Sequence, residues 1–146
     1  MTEVACAIIV QKGQVLVTQR GEQMTHPLKW EFPGGKVKVG ESPEYCVKRE
    51  IMEELGLRIT VDQLLHTVKH GYDTHSIKLF PFICSVREGE VHLTEHKTFR
   101  WMTVGELDSV DWLDADVMVV EMLKEKYSEG SDPTNLISDQ SREPLP

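Results

Sequence analysis

The stretch GKVKVGESPEYCVKREIMEELGL, residues 35–57, constrains this chain more than any other. A glycine pair, Gly34 and Gly35, opens a tight turn. A helix is predicted to follow, because Ser42 can cap it, Pro43 suits a first helical turn, and Gly56 stands where a helix would stop. At about 100° per residue, Val47, Ile51 and Leu55 share a buried side, while Glu50, Glu53 and Glu54 share another. Like charges at helical neighbour spacing destabilise a helix by roughly a few tenths of a kcal/mol. A helix needed only for solubility would carry a lysine among them. The crowding makes sense around a cation, and oxygen-only ligands favour a hard ion such as Mg²⁺. Cys46 is read on the same side, where a small side chain leaves room for metal and phosphate. A calcium loop is a poor alternative, since its acidic residues would alternate along a loop and not lie on a helix.

The net charge of −8 argues against an extended nucleic-acid polymer surface, which needs a basic stripe. A nucleotide remains compatible if a metal supplies the positive charge. No apolar run approaches membrane-spanning length, and Met1 starts no basic-then-apolar leader. The three cysteines, Cys6, Cys46 and Cys84, are widely spaced and read as reduced thiols of a cytoplasmic protein. The six histidines form no ligand motif.

Along the chain, an apolar β-rich run over 4–10 turns at Lys12-Gly13 into an alternating strand over 15–20. Residues 21–29 read as a surface loop, and 30–32 as a short strand running into Pro33-Gly34-Gly35. After the acidic helix come apolar residues within 58–69, a hairpin turn at 71–74 and a long strand over 77–86. Pro81 in that strand predicts a bulge or an edge position. A strand at 99–102, a short helical piece near 104–107 and a helix over 114–127 follow. The last helix is expected to bury Val117, Val120 and Leu123 or their neighbours. Residues 128–146, rich in Ser, Asp, Pro and Gly, are expected to form a mobile tail behind a single domain over 1–127.

The spacing G-x5-E-x7-R-E-U-x-E-E-x-G-U, with U apolar, is matched in full from Gly35 to Leu57. It is the Nudix box, and with WEFPGGK at 30–36 leading into it the chain resembles the MutT-like branch of the Nudix hydrolases. The resemblance implies an α/β class domain, an α/β/α sandwich with a mixed sheet. It also implies Mg²⁺-dependent hydrolysis of a diphosphate linkage, with Mn²⁺ able to stand in. The implied metal ligands are Glu50, Glu53 and Glu54 with the Gly34 carbonyl, and Arg49 orients the carboxylates by pairing with Glu41 or Glu53. Glu95, in a loop before a strand, matches a catalytic or metal-linked glutamate of the branch, and the general base is Glu50, Glu53 or Glu95. Arg20, Glu31, Phe32, Lys36 and Asp116 are the candidate substrate residues; Phe32 has the core as its alternative, and Asp114 or Asp116 has helix capping.

At the place of Asp116, MutT proper carries an asparagine that reads oxidised guanine. An ionised aspartate only accepts hydrogen bonds, which suits the amino group of cytosine. The expected substrate is therefore a small nucleotide, CTP or a modified dCTP, split to monophosphate and pyrophosphate. The alternatives are 8-oxo-dGTP and, more remotely, a non-catalytic nucleotide-binding module. Such modules typically lose box glutamates, and all are present here. Monomer and homodimer are both open.

Overall fold

A computed structural model of the chain describes residues 1–127, and the expected tail at 128–146 lies outside the described residues. Eight strands build one mixed sheet between two helices. The centre is β1 (Thr2–Gln11), which runs parallel to β7 (Ser76–Glu88) and antiparallel to β2 (Gln14–Gln19) and β4 (Gly34–Lys36). Beyond β2 lie β3 (Trp30–Glu31) and β8 (Thr98–Met102), while β5 (Arg58–Leu64) and β6 (Val68–Gly71) both pair with β7. Lys12 and Gly13, with φ of 52° and 79°, make the two-residue turn whose twist suits the β1–β2 hairpin.

The apolar run in β1 has a simple cause: both faces are covered, so neither can be polar. Ala5, Ala7 and Ile9 pack toward α1 (Pro43–Leu55), together with Cys46, Val47, Ile51 and Leu55. Cys6, Ile8 and Val10 point the opposite way, into a cluster with Val119, Val120 and Leu123 of α2 (Asp114–Lys126). Helix α1 has the expected ends. Ser42 Oγ accepts from Tyr45 N at 3.1 Å, and Gly56, at φ 69°, donates to Met52 O. Burial of side chains such as Ile51 and Leu55 is worth about 1.5–3 kcal/mol each, enough to hold the acidic face in one orientation. No helix among the described residues is long and apolar enough to cross a membrane.

Two expectations need correction. Val120 and Leu123 are buried as expected, but Val117 is 44% exposed, and Ala115, Asp116 and Val119 complete the buried side of α2. A buried carboxyl at Asp116 falls outside any apolar pattern. Pro81 lies neither at an edge nor in a simple bulge. It sits inside β7, opposite Cys6 of β1. Its carbonyl accepts from Leu65 N at 2.9 Å, so its missing N–H falls on the same side, in the break between β5 and β6. A 3₁₀ helix (Val104–Ser109) leads on to α2.

Candidate active site

Two adjacent glycines set the floor. At Gly34, an added methyl would lie 2.0 Å from Ala5 O, because β4 crowds onto β1. At Gly35 it would lie 2.3 Å from Glu50 Cδ, so the carboxylate rests directly on the turn. Ala7 N donates to Pro33 O, which makes Cys6–Gly34 a non-hydrogen-bonded pair of the antiparallel ladder. Gly34 therefore turns its own N–H and carbonyl away from β1, and the N–H meets the Glu54 carboxyl. Cys46 lies on the side of Arg49, Glu41 and Glu50, as expected, but it opens no room there. It is fully buried beneath the turn, its Sγ 3.3 Å from Lys36 O and 3.6 Å from Gly35 O. Burial, with the nearby Glu41 charge, pushes its thiol up to about 11.

Arg49 is the hub of the acidic face. Its Nε and Nη2 donate to the two oxygens of Glu41 at 2.6 and 2.9 Å, a planar fork-to-fork pair. Nη1 donates to Glu50 Oε2 at 2.9 Å and Glu53 Oε1 at 3.0 Å, and Nη2 also reaches Lys36 O at 3.4 Å. One guanidinium thus spans three carboxylates and the turn. The Arg49 hydrogen bonds, with one from Lys38 N, hold the Glu41 carboxyl down at about 2. Glu54 behaves in the opposite way. Burial, a hydrogen bond with Glu50 and the charges of Glu31 and Glu50 raise it to about 9, against the pull of the Gly34 N–H. Its Oε1 is buried without a hydrogen-bond partner among the described residues.

Among the described residues, no three His, Cys, Asp or Glu side chains close into a cage for a cation. Arg49 draws Glu50 and Glu53 toward itself, and Glu53 is 55% exposed. The donor set still fits Mg²⁺. This ion commonly takes one or two carboxylates and fills its octahedron with phosphate oxygens and water. The Glu50–Glu54 contact and the orphaned Glu54 oxygen are what such an ion would satisfy.

Beside these carboxylates opens a cleft of about 420 Å³, whose lining includes Lys36, Glu54, Phe32, Tyr72 and Asp116. Lys36 is exposed. Phe32 is buried with its ring 4.8 Å from Trp112, so it belongs to the core and to the cleft floor together. Asp116 does not cap α2. Its Oδ2 accepts from Phe32 N at 2.9 Å, and the helix has no side-chain cap. Burial pushes this carboxyl well above the ordinary range and the Glu31 charge adds to that, while the Phe32 N–H and Arg20 oppose it.

Arg20 and Glu31 are joined at 2.8 Å in the cleft wall, and Arg20 also holds Thr25 of the 21–29 loop. Glu95 is exposed, in a loop bonded to the end of α1 through Thr94 N and Glu54 O.

Two residues escaped the sequence reading. His96 is buried, with Nε2 2.8 Å from Glu31 Oε2. Tyr72 lies among the rings of His26, His70 and His75 at the cleft mouth. A lone histidine in a polar loop and a tyrosine in a hairpin turn carry no periodic signal that could have found them.

Comparison with known proteins agrees with this geometry. Residues 1–120 match the NUDIX domain. The chain is 32% identical over 106 residues to the 8-oxo-dGTP diphosphatase of Buchnera aphidicola subsp. Schizaphis graminum, covering 73% of this chain and 80% of that protein. It is 31% identical over 121 residues to the CTP pyrophosphohydrolase of Escherichia coli strain K12, covering 83% and 90%. Among solved structures, the E. coli ORF135 protein is similar with a TM-score of 0.74 and 31% identity, covering 86% of this chain and 91% of that one.

Proposed function

The chain belongs to the NUDIX family and is a Nudix pyrophosphohydrolase, and from that premise we propose that it splits CTP or a modified dCTP, in the cytoplasm, into nucleoside monophosphate and pyrophosphate. The observation that carries this reading is an aspartate, not an amide, buried in the cleft wall. Phe32 N–H fixes Oδ2 of Asp116, which leaves Oδ1 to meet the base. An ionised Oδ1 only accepts, and the exocyclic amino group of cytosine is the donor it fits.

Glu50 and Glu54, with Glu53 and the Gly34 carbonyl, would hold Mg²⁺ or Mn²⁺. Such an ion neutralises phosphate oxygens and lowers the pKa of a bound water. The chain's own residues do the positioning. Arg49 fixes Glu50 and Glu53 relative to the turn, Lys36 offers its ammonium to a phosphate, and the stacked Gly35 and Glu50 set the depth to which the polyphosphate descends. General-base work falls to Glu53, Glu50 or Glu95, and holding a base and a sugar at a fixed distance from these groups lowers the entropic part of the barrier.

A second reading, 8-oxo-dGTP, has support of its own. Burial and the Glu31 charge favour a protonated Asp116, whose O–H would donate to a carbonyl such as O6 of oxidised guanine. The two readings differ by one proton. The test is kcat/KM for CTP, 5-methyl-dCTP, 8-oxo-dGTP, ADP-ribose and diadenosine polyphosphates, with and without Mg²⁺. Cytidine-type triphosphates are expected to lead, and an ADP-ribose preference would overturn the assignment.

A further inference from the structure

We propose that His96 is a positioning residue that ties the 21–29 loop, on the nucleoside side of the cleft, to the end of the acidic helix. The connection is continuous. The loop carrying His96 is fastened to α1 by His92 N donating to Leu55 O at 2.8 Å and by Thr94 N donating to Glu54 O at 3.3 Å. On its other side, Lys97 N donates to Gln19 O at 2.9 Å. The His96 side chain is only 2% exposed, and its Nε2 lies 2.8 Å from Glu31 Oε2. An ionised carboxylate only accepts, so Nε2 carries the hydrogen. Nδ1 is buried without a hydrogen-bond partner among the described residues, so the bond to Glu31 is the ring's one polar anchor.

Glu31 passes the constraint on. Its second oxygen, Oε1, accepts from Arg20 Nη1 at 2.8 Å. Arg20 then spends its remaining edge on the loop, Nε donating to Thr25 O at 2.6 Å and Nη2 to Thr25 Oγ1 at 2.8 Å. With both Glu31 oxygens and the Arg20 fork engaged, neither side chain is free to swing without releasing Thr25. Two-point engagement of a carboxylate fixes its plane as well as its place. If the His96 bond is lost, Glu31 keeps one partner and can rotate, and the Arg20–Thr25 clamp loosens with it. Thr25 and His26 line the cleft, so the disturbance reaches the nucleoside but not the Arg49-held carboxylates.

The kinetic half of the test rests on the proposed nucleotide activity, and the proteolytic half does not. His96→Leu is expected to raise KM for the best nucleotide of the panel about tenfold while kcat stays within about threefold and the Mg²⁺ half-activation concentration is unchanged, the pattern of lost binding without lost chemistry. Without substrate, trypsin cleavage after Lys29 should accelerate about tenfold, because local opening of the loop becomes easier. His96→Gln, whose Nε2–H can still donate to Glu31, should restore both. Should His96→Leu fail to fold, Thr25→Val removes the Oγ1 bond at the chain's exposed end, leaves the bond to Thr25 O, and should still speed cleavage after Lys29 about threefold; an unchanged rate would equally overturn the proposal. Wild-type KM and cleavage rates in His96→Leu would overturn the proposal, as would a His96→Gln protein equally impaired, which would make packing the cause. A protein inert toward every nucleotide that still shows the cleavage pattern would sink the substrate assignment and leave the coupling standing.

Discussion

Gly35→Ala should destroy activity while leaving the fold intact, and Gly34→Ala should do the reverse damage one residue away. At Gly35 the new methyl would stand 2.3 Å from Glu50 Cδ and 2.6 Å from each carboxylate oxygen, where ordinary contact begins near 3.4 Å. The carboxylate must retreat by about an ångström. Arg49 Nη1 holds its Oε2 at 2.9 Å, and Glu54 lies beside it, so retreat either breaks the Arg49 bond or presses two carboxyls together. Misplacement on this scale costs about a hundredfold in rate. The backbone has no reason to object, since Gly35 is not among the glycines with positive φ. An alanine there even restricts the unfolded chain, a gain of about 0.4–1 kcal/mol.

At Gly34 the clash is with backbone, Ala5 O at 2.0 Å and Cys6 Cα at 2.7 Å, and a strand held in the sheet centre cannot step aside. Overpacking of this kind destabilises by about 1–3 kcal/mol, or a fall of several degrees in Tm. The assay is pyrophosphate release against Mg²⁺ concentration, run beside thermal unfolding of both variants. A Gly35→Ala protein within threefold of wild-type kcat/KM would refute the claim that Glu50 is seated on the turn. Equal losses of stability in both variants would refute the division of labour.

Arg49→Lys should lower kcat/KM by roughly 10–100-fold, the usual scale for a residue that orients metal-site carboxylates, because one ammonium cannot serve Glu41, Glu50 and Glu53 together. The Mg²⁺ activation curve should shift to higher concentration; an unchanged curve would mean the fork has no part in placing the ligands. Glu54→Gln should cut kcat on the order of a hundredfold or more. It should also abolish the stabilisation that Mg²⁺ gives in a thermal shift assay. Asp116→Asn should turn preference toward 8-oxo-dGTP at every pH, since an amide carbonyl can take the Phe32 N–H and present its NH₂ where Oδ1 stood. Wild type should approach that preference as pH falls and Asp116 takes up its proton. Its folded pKa is raised above the unfolded value of about 4, so the fold binds the extra proton and wild-type stability declines as pH rises past that value. The Asn variant should lack that decline, which unfolding measured at pH 5 and pH 8 would reveal.

What could be read from the chain, and what could not, divides by how far apart the interacting residues lie. The α1 caps, its buried side and the box spacing are all encoded within a few turns of one helix, so Ser42, Gly56 and the Glu50–Glu54 cluster are legible without a fold. The pairing of Arg49 with Glu41 is nearly as local. Asp116 draws notice by its place in the helix, yet its bond to Phe32 spans 84 residues, and a buried carboxyl there is no part of an apolar stripe. Pro81 was misread because its missing donor is accommodated by a gap between two other strands, which no property of residues 76–88 reveals.

The hardest case is the chain from Arg20 through Glu31 to His96. Its members come from the end of β2, a strand of two residues and a polar loop, and Glu31 meets His96 across 65 positions. Arg20 and Glu31 stand out in sequence only as separate candidates, and nothing there links either to His96. Only the sheet order, which lays β3 beside β2 and returns β8 to the same strand, puts them in line. The box is legible because Glu50, Glu53 and Glu54 all lie on one helix at fixed spacing. The cleft wall around Arg20, Glu31 and Asp116 is assembled from a strand end, a two-residue strand and the start of a helix, which lie far apart in the chain. Proteins named for oxidised guanine and for cytidine nucleotides match this chain almost equally, at 32% and 31% identity, which is why the proposed assignment turns on Asp116 and the Asp116→Asn substrate panel tests it.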